Sequence, residues 1–464
     1  MLLSCDLLPL PASGCRLERR VRPARQNVWP VWLCKRCLPY SLPVLVMADH
    51  ATKVEASADW LTQNRVAQPS AQPGGDKMKQ SSVLLGSTQQ QEPAQAAAEL
   101  FEQLHQPSLA LVLLFISPAY DLSLLAPALQ QHFGAALVVG CTTAGEIGCH
   151  GYQQGSISGV SFAEPDFFAV AARLEQLHDF ELADAFEAVM TARHELARKS
   201  GCAIDRNSFA LMLIDGLAAC EERVASRLSS ALGHIPLLGG SAGDNMRFEN
   251  TAILLDGRFH TQAAAFVMVA SRHPFEMFKS EHAARSGERM VITEADADSR
   301  LVTEINAEPA AVEYCRTLGL DPEQLDANTF AAHPLVLQVG GVPYVRSIQR
   351  VNPDLSLSFF CSVDEGVVLS GTQAQDLVAS LDQTFARVRS QLGPLQVVLG
   401  CDCVLRRIMI SNTAAQSRLS SLLVQNRVVG FNTYGEQFNA MHVNQTFTGI
   451  AIGYAGHQGA LHQG

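Results

Sequence analysis

From Met78 onward the chain alternates between short runs rich in β-branched and apolar residues and longer stretches with helical periodicity. Leu109 to Ile116 (LALVLLFI) is continuously apolar, as expected of a strand buried on both faces. Ala94 to His105 has the period and composition of a helix, with Pro93 where a first turn tolerates it, and Leu122 to Phe133 predicts a second. Ser82 to Gly86 and Ala136 to Gly140 read as strands, as do 156–163, 167–173, 208–214, 251–255 and 261–269, and Ala219 to Leu232 as a helix. From Asp296 the alternation restarts. Strand 301–305, helix 308–318, three β-runs between 333 and 361, helix 375–392, strand 395–400, helix 413–425 and strand 428–432 follow. The fold class is therefore α/β, expected as two tandem mixed-sheet domains over 78–298 and 299–464. Residues 1–77 carry neither period and end in the Pro/Gly-rich QPSAQPGGDK, so they read as a disordered or mis-started extension before Met78.

Composition and charge narrow the functional classes. Of 464 residues 47% are apolar and 17% charged, a balance that supports large cores and excludes disorder throughout. The formal charge of −11 is unevenly spread: residues 1–47 hold seven Lys/Arg against Asp6 and Glu18, which leaves 48–464 strongly acidic. An acidic body offers no clustered cations for nucleic acid or anionic lipid. No apolar run approaches the roughly 20 residues of a membrane span. The start, MLLSCDLLPLPASGC, lacks the basic region of a secretion signal, and the twelve cysteines form no dense disulfide framework, so a cytoplasmic location is expected.

One turn recurs. Val138-Val139-Gly140-Cys141-Thr142-Thr143-Ala144-Gly145-Glu146 agrees at six of nine positions, without gaps, with Val428-Val429-Gly430-Phe431-Asn432-Thr433-Tyr434-Gly435-Glu436. A looser version, Leu237 to Asp244 (LLGGSAGD), lies between them and closes one residue sooner. In each, a buried strand ends at glycine, a hydroxyl follows, and a second glycine delivers a carboxylate. Two readings of this duplicated strand–Gly–turn motif stand side by side. The carboxylates cap orphan amides of tight turns, or Thr143, Glu146, Thr433, Tyr434, Glu436 and Asn444 line one ligand pocket at a pseudo-twofold between the halves.

These residues also carry a family resemblance. VVGCTTAGEIG resembles the FIST sensory domain, and VVGFNTYGEQFN, with Asn444 and Thr446 before an apolar β-run, resembles its partner, the FIST C domain. IPLLGGSAGDN fits the same pattern, and the likeness spans about 78–464. It implies a sensor of small ligands that signals to a separate histidine kinase or cyclic-di-GMP enzyme (diguanylate cyclase or phosphodiesterase) and is not itself an enzyme. A narrower likeness, to the nitric-oxide-sensing FIST haemoproteins (NosP), runs through RMVITEADADSRLVTEINAEPAAVEYC, HPLVLQVGGVPYVRSIQRV and YGEQFNAMHVNQTFTG.

That likeness implies haem b, which needs an axial ligand within apolar walls and cations at the propionates. His442 is the first choice as iron ligand, with His282 and His333 as alternatives and Arg346 as a propionate partner. The rival expectation is a small organic ligand such as an amino acid, its ammonium held by Glu146 and Glu436. A homodimer is compatible with either. More distantly, Gly239-Gly240-Ser241-Ala242-Gly243 satisfies the nucleophile-elbow pattern of a serine hydrolase, although no helical pattern follows it. Cys401 and Cys403 could form half of a redox or metal site, with Cys361 and Cys141 as further donors, whereas Cys34 and Cys37 have no matching second pair.

Overall fold

The computed structural model describes residues 81–456 apart from 202, 203, 205, 340 and 341, so the 1–77 extension lies outside the described residues. One order of elements occurs three times. The first repeat runs β1 (Val83–Thr88), α1 (Pro93–Leu104), β2 (Leu109–Ile116), α2 (Leu122–Phe133), β3 (Val138–Thr142), β4 (Glu146–Gly148), β5 (Gly151–Gln153) and β6 (Ile157–Ala163). The second runs β7 (Phe167–Leu174), α3 (Leu182–Ser200), β8 (Ser208–Ile214), α4 (Glu221–Leu232), β9 (Leu237–Ser241), β10 (Ile253–Leu255), β11 (Arg258–His260) and β12 (Ala264–Ser271).

The third repeat begins with β13 (Phe275–Glu281) and is then interrupted by an inserted subdomain. The insert holds β14 (Ala283–Asp296), β15 (Leu301–Ile305), β16 (Glu308–Pro309), α5 (Ala310–Leu318) and α6 (Ala327–Ala332), then β17 (Leu335–Val339), β18 (Val342–Arg346), β19 (Ile348–Val351), β20 (Leu357–Phe359) and β21 (Val368–Ala374). The repeat resumes with α7 (Leu377–Leu392), β22 (Leu395–Cys403), α8 (Val404–Ile410), α9 (Ala414–Gln425), β23 (Val428–Thr433), β24 (Glu436–Phe438), β25 (Met441–Val443) and β26 (Thr446–Gly453).

Sequence periodicity locates most of these elements to within a few residues. Helix starts carry the expected chemistry: Asp121 accepts the amides of Ser123 and Leu124, Asp376 those of Val378 and Ala379, and Glu92 those of Ala94 and Gln95 ahead of Pro93. The helices α3, α6 and α8 are not among those expected from the sequence.

Each repeat makes four strands of one sheet, in the orders β1-β6-β2-β3, β7-β12-β8-β9 and β13-β26-β22-β23. The last two strands of each set are parallel and joined through a helical crossover. The hairpin that follows leaves its own sheet. β4–β5 pairs with β23 of the third repeat, β24–β25 with β9 of the second, and β10–β11 with β3 of the first. The looser turn at Leu237 thus stands level with the other two, and the symmetry expected to be twofold is threefold.

The three sheets enclose one shared core, to which Leu113, Phe115, Leu211, Val267, Leu399 and Ile450 contribute, and the Phe115 and Phe431 rings stack at 4.9 Å. Helices cover the outer faces: α1 and α2 over the first sheet, α3 and α4 over the second, α7 and α9 over the third. β2 is buried on both sides for this reason, which accounts for its unbroken apolar run. The insert has its own sheet, ordered β18-β17-β21-β14-β15-β20-β19, and its own core around Ile292, Val302, Tyr314 and Leu335.

Candidate functional site

The three recurrent turns meet at one end of the three-sheet body and close a ring of backbone hydrogen bonds. Ala144 donates to the Asn432 carbonyl at 3.0 Å and Asn432 to that of Gly145 at 2.7 Å. Ser241 donates to the Gly435 carbonyl at 2.9 Å, and Gly243 to that of Thr142 at 3.0 Å. Glycine at 435 is required by packing: a Cβ there would lie 2.2 Å from Cε1 of His442.

Inside this ring the two glutamates have matched surroundings. Glu146 accepts from Thr143 Oγ1 at 2.5 Å and from the amide and hydroxyl of Ser156 at 3.1 and 2.8 Å. Glu436 accepts from Thr433 Oγ1 at 2.7 Å and from the amide and hydroxyl of Thr446 at 3.2 and 2.7 Å. Burial pushes both carboxyls up, Glu436 to about 8. Each is engaged within its own repeat as a turn staple. Asp244, the third carboxylate, accepts the amides of Phe248, Glu249 and Asn250 and the hydroxyl of Tyr434.

Over the ring lies the insert. Its Phe360 packs with Phe248 and Tyr434, beside Ala144, Ala331, Cys403 and Leu405. Two buried polar clusters flank this apolar contact. In one, Arg300 of the insert donates to Glu222 at 2.6 Å, to Glu221, and to the Phe360 carbonyl at 2.9 Å. Glu221 accepts from Ser241 Oγ at 3.3 Å, and Gln437 Nε2 reaches Ser241 Oγ and His442 Nδ1, both at 3.0 Å. His442 Nε2 lies 3.3 Å from the Phe360 carbonyl.

In the other cluster the fully buried Arg406 donates through Nε to Asp402 at 2.6 Å and through Nη1 to His282 Nδ1 at 3.0 Å. Tyr152 and Asn432 also donate to Asp402, and Gln445 donates to the carbonyls of Phe330 and Ala331 in the insert. Burial, then the Arg406 charge, pushes His282 down to about 3, so its ring is neutral. Several buried atoms of this seam have no partner: both amide atoms of Asn444, Oε1 of Gln437 and Nη2 of Arg406. A buried polar atom without a partner is uncommon.

The seam does not fit a haem. Nδ1 of His442 faces Gln437 Nε2 at 3.0 Å and its Nε2 faces the Phe360 carbonyl at 3.3 Å, so both ring nitrogens have polar neighbours within the protein. Arg406 occupies the lone pair of neutral His282. His333 is exposed at the end of α6, and the half-buried Arg346 ends β18, so the four expected haem contacts are not gathered around one space. Among the described residues no group of three His, Cys, Asp or Glu side chains is placed to hold a metal. Cys401 lies in the central core with Cys141, whereas Cys403 belongs to the apolar cluster at the ring. Ser241 donates to Glu221 and accepts from Gln437, with no histidine in contact with its hydroxyl, and it leads into no helix, unlike a nucleophile elbow.

Sequence reasoning named Asn444, His442 and His282 but missed Gln437, Gln445, Glu221, Arg300 and Arg406. Arg406-Arg407 inside the apolar run VLRRIMI was the available signal, since a charge amid core residues implies a buried partner.

The FIST N domain model matches residues 110–308 and the FIST C domain model residues 310–439. The chain belongs to the FIST family. FIST domains are generally small-ligand sensor domains of signalling proteins and are generally non-catalytic. The FIST N match begins in β2, covers the rest of the first repeat and all of the second, and the change to FIST C falls inside the insert. A search of curated protein sequences found no significant match. Among solved structures, a cyanuric acid hydrolase from A. caulinodans is similar at 9% identity over 80% of this chain and 99% of that one. Its TM-score of 0.34 is too low to carry an argument about this FIST protein.

Proposed function

We propose that this FIST protein senses a small polar organic molecule bearing both hydrogen-bond donors and acceptors, taken up at the seam between the three-sheet body and the insert. The observation that carries this reading is Asn444, wholly buried with both amide atoms unpartnered. Oε1 of Gln437 adds an acceptor, and the charged Nη2 of Arg406 favours a ligand with a carboxylate, as an amino acid has. Glu146 and Glu436, already satisfied by threonine and serine donors, are turn staples in this reading rather than the holders of an ammonium group. A ligand that pairs these groups stabilises one setting of the insert against the body, which is the population shift a sensor transmits. The receiver is a separate histidine kinase or cyclic-di-GMP enzyme in the cytoplasm.

The test is a thermal-shift screen of amino acids and other small carboxylates against the protein and its Asn444→Leu variant. Leucine removes two unsatisfied buried polar atoms at similar volume, so the unliganded variant should be as stable as the parent or more so, by up to about 2 kcal/mol. It should also lose the ligand-induced shift. A destabilised variant that retains the shift overturns the reading. Hemin addition separates the haem alternative: a stoichiometric Soret band that disappears in His442→Ala would replace the polar ligand by a nitric-oxide-responsive haem.

A further inference from the structure

The first repeat departs from the other two at one matched position. Strand register sets Ser87 of β1, Arg173 of β7 and Lys279 of β13 level with one another. Each pairs with Ser158, Ala265 or Thr448, and through them stands in line with Phe115, Leu213 or Cys401 of the shared core. The second and third repeats put a cation there. Arg173 Nε lies 3.0 Å from Glu175, and its Nη1 lies 3.3 Å from His260 Nε2 on the β10–β11 hairpin. Lys279 pairs with Glu281 and lies 5.9 Å from the ring centre of Phe438 on the β24–β25 hairpin. In both, a charged side chain spans from the first strand of the repeat to the hairpin of that repeat. Ser87 is shorter and neutral, and its hydroxyl meets Cys149 Sγ at 2.9 Å. Beside it, a cleft of about 600 Å³ lies between β1, α1 and residues 150–154.

Charge says what the cleft takes. The acid that pairs with each cation is replaced as well, since Gln89 stands where Glu175 and Glu281 do, two residues on. A carboxylate is instead supplied from α1. Glu99 is half-buried in the cleft wall and makes no ion pair among the described residues. Thr88 Oγ1 holds its Oε2 at 2.6 Å, whereas Gln103 Nε2 stands off at 3.5 Å from Oε1. Among the described residues that line the cleft there is no Lys or Arg, and His150 and Tyr152 are the other titratable groups. A carboxylate already fixed by its neighbour binds a cation with little further ordering. With Oε2 engaged, Oε1 offers a point contact, which suits a compact ammonium better than the two-pronged fork of a guanidinium. We infer that this cleft binds the primary ammonium group of a small organic amine, with Glu99 as counter-ion, where Arg173 and Lys279 stand in the other repeats. None of the groups offered to the polar ligand at the seam lines it, so this is a second site.

Isothermal titration calorimetry of the full chain with putrescine at low ionic strength tests this, with the uncharged diol of the same chain length as control. Saturable binding of putrescine alone is expected. Glu99→Gln should weaken it at least about tenfold by removing one charge-assisted contact, with the melt of the unliganded protein unchanged. Ser87→Arg restores the cation of the other repeats and should abolish binding in a protein that still melts cooperatively. Asn444→Leu should bind putrescine as the parent does. Absence of saturable binding, equal binding of the diol, unchanged affinity in Glu99→Gln or Ser87→Arg, or loss of binding in Asn444→Leu would each overturn the assignment.

Discussion

Thr143 and Glu146, three apart, recur as Thr433 and Glu436, and Ser156 and Thr446 follow at one matched distance. That spacing was legible in the sequence. Whether the carboxylates faced a ligand or their own turn was not, because both outcomes require the same residues and only the position of the next strand's amide decides between them. The answer has a pH signature. Glu436 is neutral in the fold up to about 8 but ionises near the ordinary 4.5 when unfolded. Its contribution is therefore complete below pH 4.5 and is lost as pH rises through 8, at up to about 1.4 kcal/mol per pH unit. Glu436→Gln should flatten the decline of melting temperature between pH 5 and 8.5. Glu146 and Asp402, raised in the same sense, leave a residual slope. An unchanged slope in the variant means that the carboxyl ionises normally in the fold.

At the scale of elements one arginine ties the insert to the body at several points. Arg300 reaches Glu221, Glu222 and the Phe360 carbonyl together, joining α4 of the body to β20 and the loop before β15. Arg300→Met strands the buried Glu221 carboxylate, and removing one partner of such a pair typically costs about 3–5 kcal/mol. Hydrogen exchange should show the damage concentrated in residues 283–374, with the core strands β2, β8 and β22 protected as before. Uniform loss of protection would mean that insert and body open together. Most helices were legible because one face alone is apolar. Three were missed: α6 and α8 span only 6 and 7 residues, too short to show a period, whereas α3 does bury one face, Ala185, Val189, Ala192 and Leu196, that the sequence already carried.

For the whole molecule, two of three turns were readable as a gap-free repeat, and the third was disguised by closing one residue early. The insert further hides the third repeat by separating β13 from α7. Nothing local announces that each hairpin pairs outside its own sheet, since alternation fixes which face is buried but not which strand lies alongside. A chain ending at residue 298 contains the first two repeats yet leaves β4–β5 without β23, β9 without β24, and β13 without β26. Such a fragment should bind hydrophobic dye and unfold without a sharp transition, whereas the full chain melts cooperatively. A compact fragment with a sharp melt would show that the shared core tolerates the loss of one side.

The exchanged hairpins also impose a wait. Glu146 leaves the ribosome 285 residues ahead of Phe431 (431 − 146), its partner across the ladder, and at about 5–20 residues per second that interval is on the order of 15–60 s. During that time the hairpin edge has no partner within its own chain. Newly made protein is then most open to capture by a chaperone or a neighbouring nascent chain, and its yield in cells is governed by synthesis timing as well as by the stability of the finished fold.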